Sequence, residues 1–172
     1  MLAPAEQVLP DLLRDDLDIV FCGTQAGTVS ARRRAYYAGP GNRFWATLYD
    51  TGLVSSRLMP EDYRRLLEFR MGLTDVAKRT HGPDAVLRRA HFDVEGFHAK
   101  IERHRPRVIA FNGKKAASAA MGLATGSLHY GMQNVTIGTS AVFVLPSTSG
   151  AASGFWNIGP WRALSAYARG TE

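Results

Sequence analysis

A single cysteine, Cys22, stands in a chain of 172 residues, which excludes an internal disulfide and any cysteine-rich zinc site. A lone thiol in an apolar run is ordinarily a small buried hydrophobe. No stretch approaches the ~20 consecutive apolar residues of a membrane span. Residues 1–18 alternate apolar with acidic side chains and lack the basic and apolar regions of a signal peptide, so export is not expected and a reducing, cytoplasmic setting is. The five histidines (His81, His91, His98, His104 and His129) show no metal-ligand spacing, and no Ser-His-Asp arrangement can be read. Neither a metal nor an organic cofactor is expected. Repeats and low-complexity segments are also absent.

What is present is positive charge. The formal net charge is +6 and the isoelectric point about 9.8, a balance that favours polyanionic partners because neutralising phosphates releases counterions. The arginines cluster: Arg32, Arg33 and Arg34 form one run, Arg88 and Arg89 another, and Arg103, Arg105 and Arg107 a third around His104. Each run is equally compatible with a solvated face. At 45% hydrophobic and 21% charged residues the composition is that of a globular protein, and the length suits one domain over residues 1–172.

Short apolar runs bounded by glycine alternate with helical patterns. Residues 18–23 (DIVFCG), 107–112 (RVIAFN) and 141–145 (AVFVL) read as strands buried on both faces, with 134–137 a shorter strand leading into the last through Gly138. Residues 42–53, 60–69, 94–104, 114–121 and 160–169 read as helices. The second opens with Pro60, Glu61 and Asp62, and the third stops before Pro106. This order predicts an α/β fold, a three-layer α/β/α sandwich around a central, mainly parallel sheet. Ligands of such sheets bind at the carboxyl ends of the strands, which directs attention to residues 23–45, 112–114 and 146–155.

The first of these loops, Gly23-Thr24-Gln25-Ala26-Gly27, permits close backbone approach to a ligand. It has neither the Gly-x-Gly-x-x-Gly spacing of a dinucleotide site nor the Gly-Lys-Ser/Thr ending of a phosphate loop, which disfavours phosphate cofactors. Tyr36 and Tyr37 follow, able either to stack on a planar base or to pack on the core, and Asn42 is placed to cap the next helix. The third loop, residues 145–153, is a run of small residues that reads as a mobile turn or as a segment able to approach a duplex.

Taken together and in order, these motifs resemble the mismatch-specific uracil-DNA glycosylase and thymine-DNA glycosylase family of the uracil-DNA glycosylase superfamily. Gly23 and Gly27 frame the position of the family's Gly-Ile-Asn-Pro-Gly. Residues 39–45 (GPGNRFW) match its Gly-Pro-Gly-Asn-x-Phe-Trp, and residues 111–114 (FNGK) its Phe-Asn-Gly-Lys. Leu145-Pro146-Ser147 with Ser149-Gly150 matches its second active-site loop. The resemblance implies a monofunctional enzyme that flips a base out of duplex DNA and hydrolyses its N-glycosidic bond, since a stacked nucleotide hides the sugar carbon and a mispaired base costs less to extrude. It implies a pocket of Gly23, Thr24, Tyr37 and Asn112, with Tyr37 stacking on the base. Lys114 and the loop residues Ser147, Ser149, Gly150, Ala151, Ala152 and Ser153 would contact DNA. The implied partner is double-stranded DNA with a U:G or related mismatch, single-stranded DNA being an alternative, bound by a monomer away from any membrane.

The chain also departs from the family. Gln25 replaces the family's catalytic Asn, and a displacement of ~1 Å at such a group can cost about 10²-fold in rate. Two carboxylates stand where the family has none: Asp93, in Asp93-Val94, and Asp75, in Gly72-Leu73-Thr74-Asp75. Either can serve as general base or stabilise an oxocarbenium-like transition state. Asp93 can equally cap its helix, and Asp75 can line the pocket without acting. Ala151 and Ser153 replace a bulky wedge and a basic residue, so little stacking volume and a relaxed dependence on guanine are expected. Two rivals remain: a lesion-binding protein that has lost catalysis, and a nucleotide- or sugar-phosphate enzyme of the same α/β class.

Overall fold

The computed structural model describes residues 7–84 and 91–170; the Arg88–Arg89 run lies outside the described residues. Five strands form one sheet in the order β2-β1-β3-β5-β4, where β1 is Ile19–Gly23, β2 Met71–Asp75, β3 Val108–Asn112, β4 Gly131–Ile137 and β5 Ser140–Leu145. All pairings are parallel except the β4–β5 hairpin at one edge. The α/β sandwich read from the sequence is therefore observed.

Alternating side chains along the central strands explain the three layers. Ile19, Phe21, Val108, Ala110, Phe143 and Leu145 face one side, against α2 (Phe44–Asp50) and α5 (Gly159–Ala168). Val20, Cys22, Ile109, Phe111, Val142 and Val144 face the other, against α3 (Val94–His104) and α4 (Lys114–Met121). A strand covered on both faces cannot alternate apolar with polar residues, hence the unbroken runs. Phe21 stacks on Trp161 at 5.8 Å and meets Phe44 edge-on at 5.2 Å. Each such fully buried ring contributes roughly 1.5–3 kcal/mol of transfer free energy.

Four elements depart from the sequence reading. β2 was not expected: Gly72 interrupts its apolar pattern and Asp75 ends it. Gly72 is required because a Cβ there would lie 2.4 Å from the Leu12 carbonyl oxygen and 2.7 Å from Leu17, where the N-terminal segment bridges to Leu73. A short helix, α1 (Thr28–Arg33), occupies part of the stretch read as loop. The 60–69 segment is helical as expected but wound as a 3₁₀ helix, and β4 begins three residues earlier than read.

Candidate active site

The carboxyl ends of β1, β2, β3 and β5 open into a cleft of about 670 Å³, within the size range of small-molecule sites. Gly23, Thr24, Gln25, Tyr37, Asp75, Asn112, Lys114, Ser147, Ser149, Gly150, Ala151 and Ala152 all line it. Residues read from four separate stretches of sequence thus share one cavity. Ser153 is exposed on the adjoining 3₁₀ turn, Gly150–Phe155, without lining the cleft.

Asp75 lies on the floor. Its side chain is at the end of β2, opposite Gly23 in the register, and the residue is only 4% exposed. A Cβ on Gly23 would lie 2.7 Å from Asp75 Oδ1 and 3.2 Å from the Tyr37 hydroxyl, so the bare glycine is what admits both groups. Burial pushes the Asp75 carboxyl up from 3.8 to about 6, with Lys78 opposing the rise and Asp11 adding to it.

That lysine belongs to a buried network. Lys78, 7% exposed, places Nζ 3.1 Å from Asp11 Oδ1 and 3.9 Å from Asp75 Oδ2, and donates to the Tyr36 hydroxyl at 3.0 Å. Lys100 Nζ reaches Asp11 Oδ2 at 2.6 Å, and Thr74 Oγ1 donates to Asp11 Oδ1 at 2.7 Å. Asp11 is held below its ordinary range by the two lysines and Thr74, despite its burial. With Asp11 claimed at short range by Lys78 and Lys100, Asp75 keeps only a long contact to a cation. It is the carboxylate in this cluster left able to change protonation near neutrality.

Tyr37 adopts a positive φ of 54°, uncommon for a bulky residue, and stacks on Phe44 at 4.1 Å. One ring face is therefore spent on the core, while the residue also lines the cleft. Its hydroxyl is buried and makes no hydrogen bond of good geometry; burial, reinforced by Asp75 and opposed by the nearby Asn112 side chain, pushes the phenol well up. Asn112 makes a two-point clamp across the strand ends: Nδ2 donates to Thr148 Oγ1 at 2.9 Å, and Oδ1 accepts from Thr148 N at 3.0 Å. Thr148 O in turn accepts from Arg43 N at 2.9 Å, which ties the 39–43 loop to the 146–149 loop. Asn42, read as the cap of this helix, lies one residue before the N-cap position, which is Arg43; its Oδ1 accepts from Phe44 N at 3.0 Å and so holds the approach to α2. Lys114 Nζ sits 4.6 Å over the Tyr130 ring.

Three sequence readings need correction. Asp93 does not reach the cleft: it is exposed and its Oδ1 accepts from Gly96 N at 3.0 Å, which makes it the N-cap of α3. Gln25 does line the cleft, but its amide is used up as a strap. Nε2 donates to the carbonyls of Gly82 and Pro83, at 2.9 and 3.2 Å, and Oε1 accepts from Thr80 at 2.7 Å, so little hydrogen-bonding capacity remains for a water. The second loop is not short of bulk either. Phe155, at the end of the 150–155 turn, is 74% exposed and lines the cleft, four residues beyond the position where the wedge was sought.

Asp84 was missed altogether. It lines the cleft and accepts from Thr24 Oγ1 at 2.6 Å, while Lys115 Nζ donates to its carbonyl at 2.6 Å. A contact between residues 24 and 84 leaves no local signal; only the Gly82-Pro83 turn hints at a loop there.

The family model of the Uracil DNA glycosylase superfamily matches residues 10–166, which takes in every strand, β1 to β5, and all of the cleft loops. The chain belongs to this superfamily. Among solved structures it is similar to the solution NMR structure of a candidate uracil DNA glycosylase from Methanosarcina acetivorans, with 24% sequence identity and a TM-score of 0.64, over 94% of this chain and 96% of that one. At that identity the likeness bears on the fold alone. Membership supports a DNA glycosylase, a hydrolase that acts on DNA.

Proposed function

We propose that the protein is a monofunctional DNA glycosylase of the mismatch-specific type, hydrolysing the N-glycosidic bond of uracil in U:G and related mispairs, with Asp75 as its catalytic carboxylate. The observation that carries this reading is the position of Asp75. It is a cleft-floor carboxylate with a carboxyl near 6, ionised at neutral pH yet basic enough to take a proton.

In the proposed reaction the flipped nucleotide enters the cleft with its base against the ring of Tyr37. Ionised Asp75 stabilises positive charge gathering on the sugar as the bond from the base nitrogen to C1′ lengthens, and the bonding electron pair leaves with the base. A water then bonds to C1′ and gives its proton to Asp75, and the released base anion is protonated from solvent. No cofactor takes part in any of these steps. Gln25 and Asn112 act by shape, the first strapping the pocket wall to residues 80–83 and the second clamping the loop at 148. Phe155 is the apolar group suited to enter the gap left in the stack, as inserted side chains do in kinked duplexes.

One observation favours the alternative of a lesion-binding protein without catalysis: the amide of Gln25, at the position of the family's catalytic Asn, is already spoken for. Abasic-site formation on U:G, T:G and single-stranded uracil DNA decides between them. Strand cleavage after alkali on U:G supports the glycosylase; tight binding of U:G with no abasic product supports the alternative.

A further inference from the structure

Beside the cleft, with Thr28 lining both, lies a second depression of about 770 Å³. Arg32, Arg34, Arg64 and His81 line it, and no carboxylate does. Two of these arginines belong to the run seen in the sequence. The third arginine of that run, Arg33, is neutralised by Glu61, to which it donates from Nε at 2.8 Å. Arg32 and Arg34, by contrast, flank it with no ion-pair partner among the described residues, and Arg64 lies over the Tyr63 ring at 4.7 Å without one either. α1 brings Arg32 to the depression and the left-handed turn at Arg34 (φ 53°) brings its neighbour but one to the same wall. The 60–69 helix supplies Arg64 from the other side, and the bridge from Ala26 to His81 closes the end nearest the cleft.

We propose that this trough is a phosphate-backbone subsite for DNA, holding the strand that runs away from the nucleotide in the cleft. Three guanidiniums from two elements, exposed and uncompensated, match a row of anionic groups spaced along a strand, and a guanidinium prefers the forked geometry of phosphate oxygens. The wall shared at Thr28 sets the row directly beside the cleft. The subsite rests on the reading of the protein as DNA-acting, but not on its being catalytic.

The test is the salt dependence of binding. The triple variant Arg32→Gln/Arg34→Gln/Arg64→Gln is compared with the wild type and with Arg103→Gln/Arg105→Gln/Arg169→Gln, which removes the same charge from the amino ends of the strands, where Arg107, just before β3, meets the Ala168 carbonyl of α5 at 3.4 Å. The probe is a fluorescent uracil-containing duplex, titrated at several salt concentrations. Each lost phosphate contact lowers the slope of log K against log salt by ~0.9, so the trough variant should lose roughly two to three units of slope and bind at least ten-fold more weakly at ~0.1 M salt, while the control keeps the wild-type slope. Equal loss in both triple variants, or none in the trough variant, overturns the proposal. Slope lost only in the trough variant of a protein that forms no abasic product supports the subsite and refutes the glycosylase reading alone.

Discussion

Replacing Asp75 by asparagine should move activity and stability in opposite directions. The wild-type carboxyl titrates near 6 rather than at 3.8, so the folded protein binds a proton that the unfolded chain releases. Below pH 3.8 the group is neutral in both states and costs nothing. Between pH 3.8 and about 6 the penalty for burying the charge grows with pH, and above 6 it is constant. A shift of about two units is worth about 3 kcal/mol, which sets the upper bound on what Asp75→Asn can gain at pH 7.5. Lys78 keeps its short contacts to Asp11 and Tyr36 in the variant, so losing the 3.9 Å contact should subtract little. For a domain of this size that gain corresponds to a rise in Tm of up to roughly 6–12 °C, vanishing when the melt is repeated near pH 3.5. The rate of uracil release under single-turnover conditions should fall by about 10²–10⁴-fold in the same variant. The wild-type rate needs the ionised form, so it should drop about ten-fold from pH 8 to pH 5, where only about a tenth of Asp75 is ionised; the variant should lose that limb. An Asp75→Asn protein with full activity and an unchanged pH profile would refute the assignment, whatever its Tm.

The other expectations are simpler to measure. Phe155→Ala should leave the melting temperature unchanged, because the ring is exposed, yet slow uracil release from a duplex at least ten-fold more than from a single strand; equal effects on both would remove Phe155 from the duplex gap. Asp93→Ala should cost about 1 kcal/mol in chemical denaturation by loss of the α3 cap, with base release within two-fold of wild type, and a large catalytic loss would reinstate it as a candidate. Gln25→Ala should loosen the 80–83 strap, detected as faster amide exchange at Gly82, whose N–H bonds the Ala26 carbonyl, and should raise the substrate concentration for half-maximal rate more than it lowers the maximal rate.

The sheet was legible in the sequence wherever burial on both faces demanded unbroken apolar runs, as in IVFC and VIAF. It was not legible at β2, where a glycine is forced by the crossing of residues 12–17 and an aspartate by the cleft, so that tertiary demands overrode β-propensity. α1 escaped notice because four of its six residues, Thr28, Ser30, Arg32 and Arg33, are polar or basic and leave no apolar stripe. At the site, motif order picked out segments that do share one cleft, since those loops are contiguous stretches at strand ends. What a linear reading lacks is the direction in which a side chain is spent. Asp93 and Asp75 are equivalent as letters, and only the fold turns one to a helix amide and the other to the cleft. Gln25 reads from the sequence as a misplaced amide, and only residues 80–83, 55 or more positions away, show where that amide goes.

The clamp between Asn112 and Thr148 also has a kinetic meaning. It fastens the end of a central strand to the loop that carries the exposed lip, and Thr148 passes the tie on to Arg43. Three stretches of backbone remote in the chain therefore open as one unit: the amide hydrogens of Thr148 and Arg43 should trade with solvent deuterium at a common rate, and the lip cannot lift without releasing the pocket wall behind it.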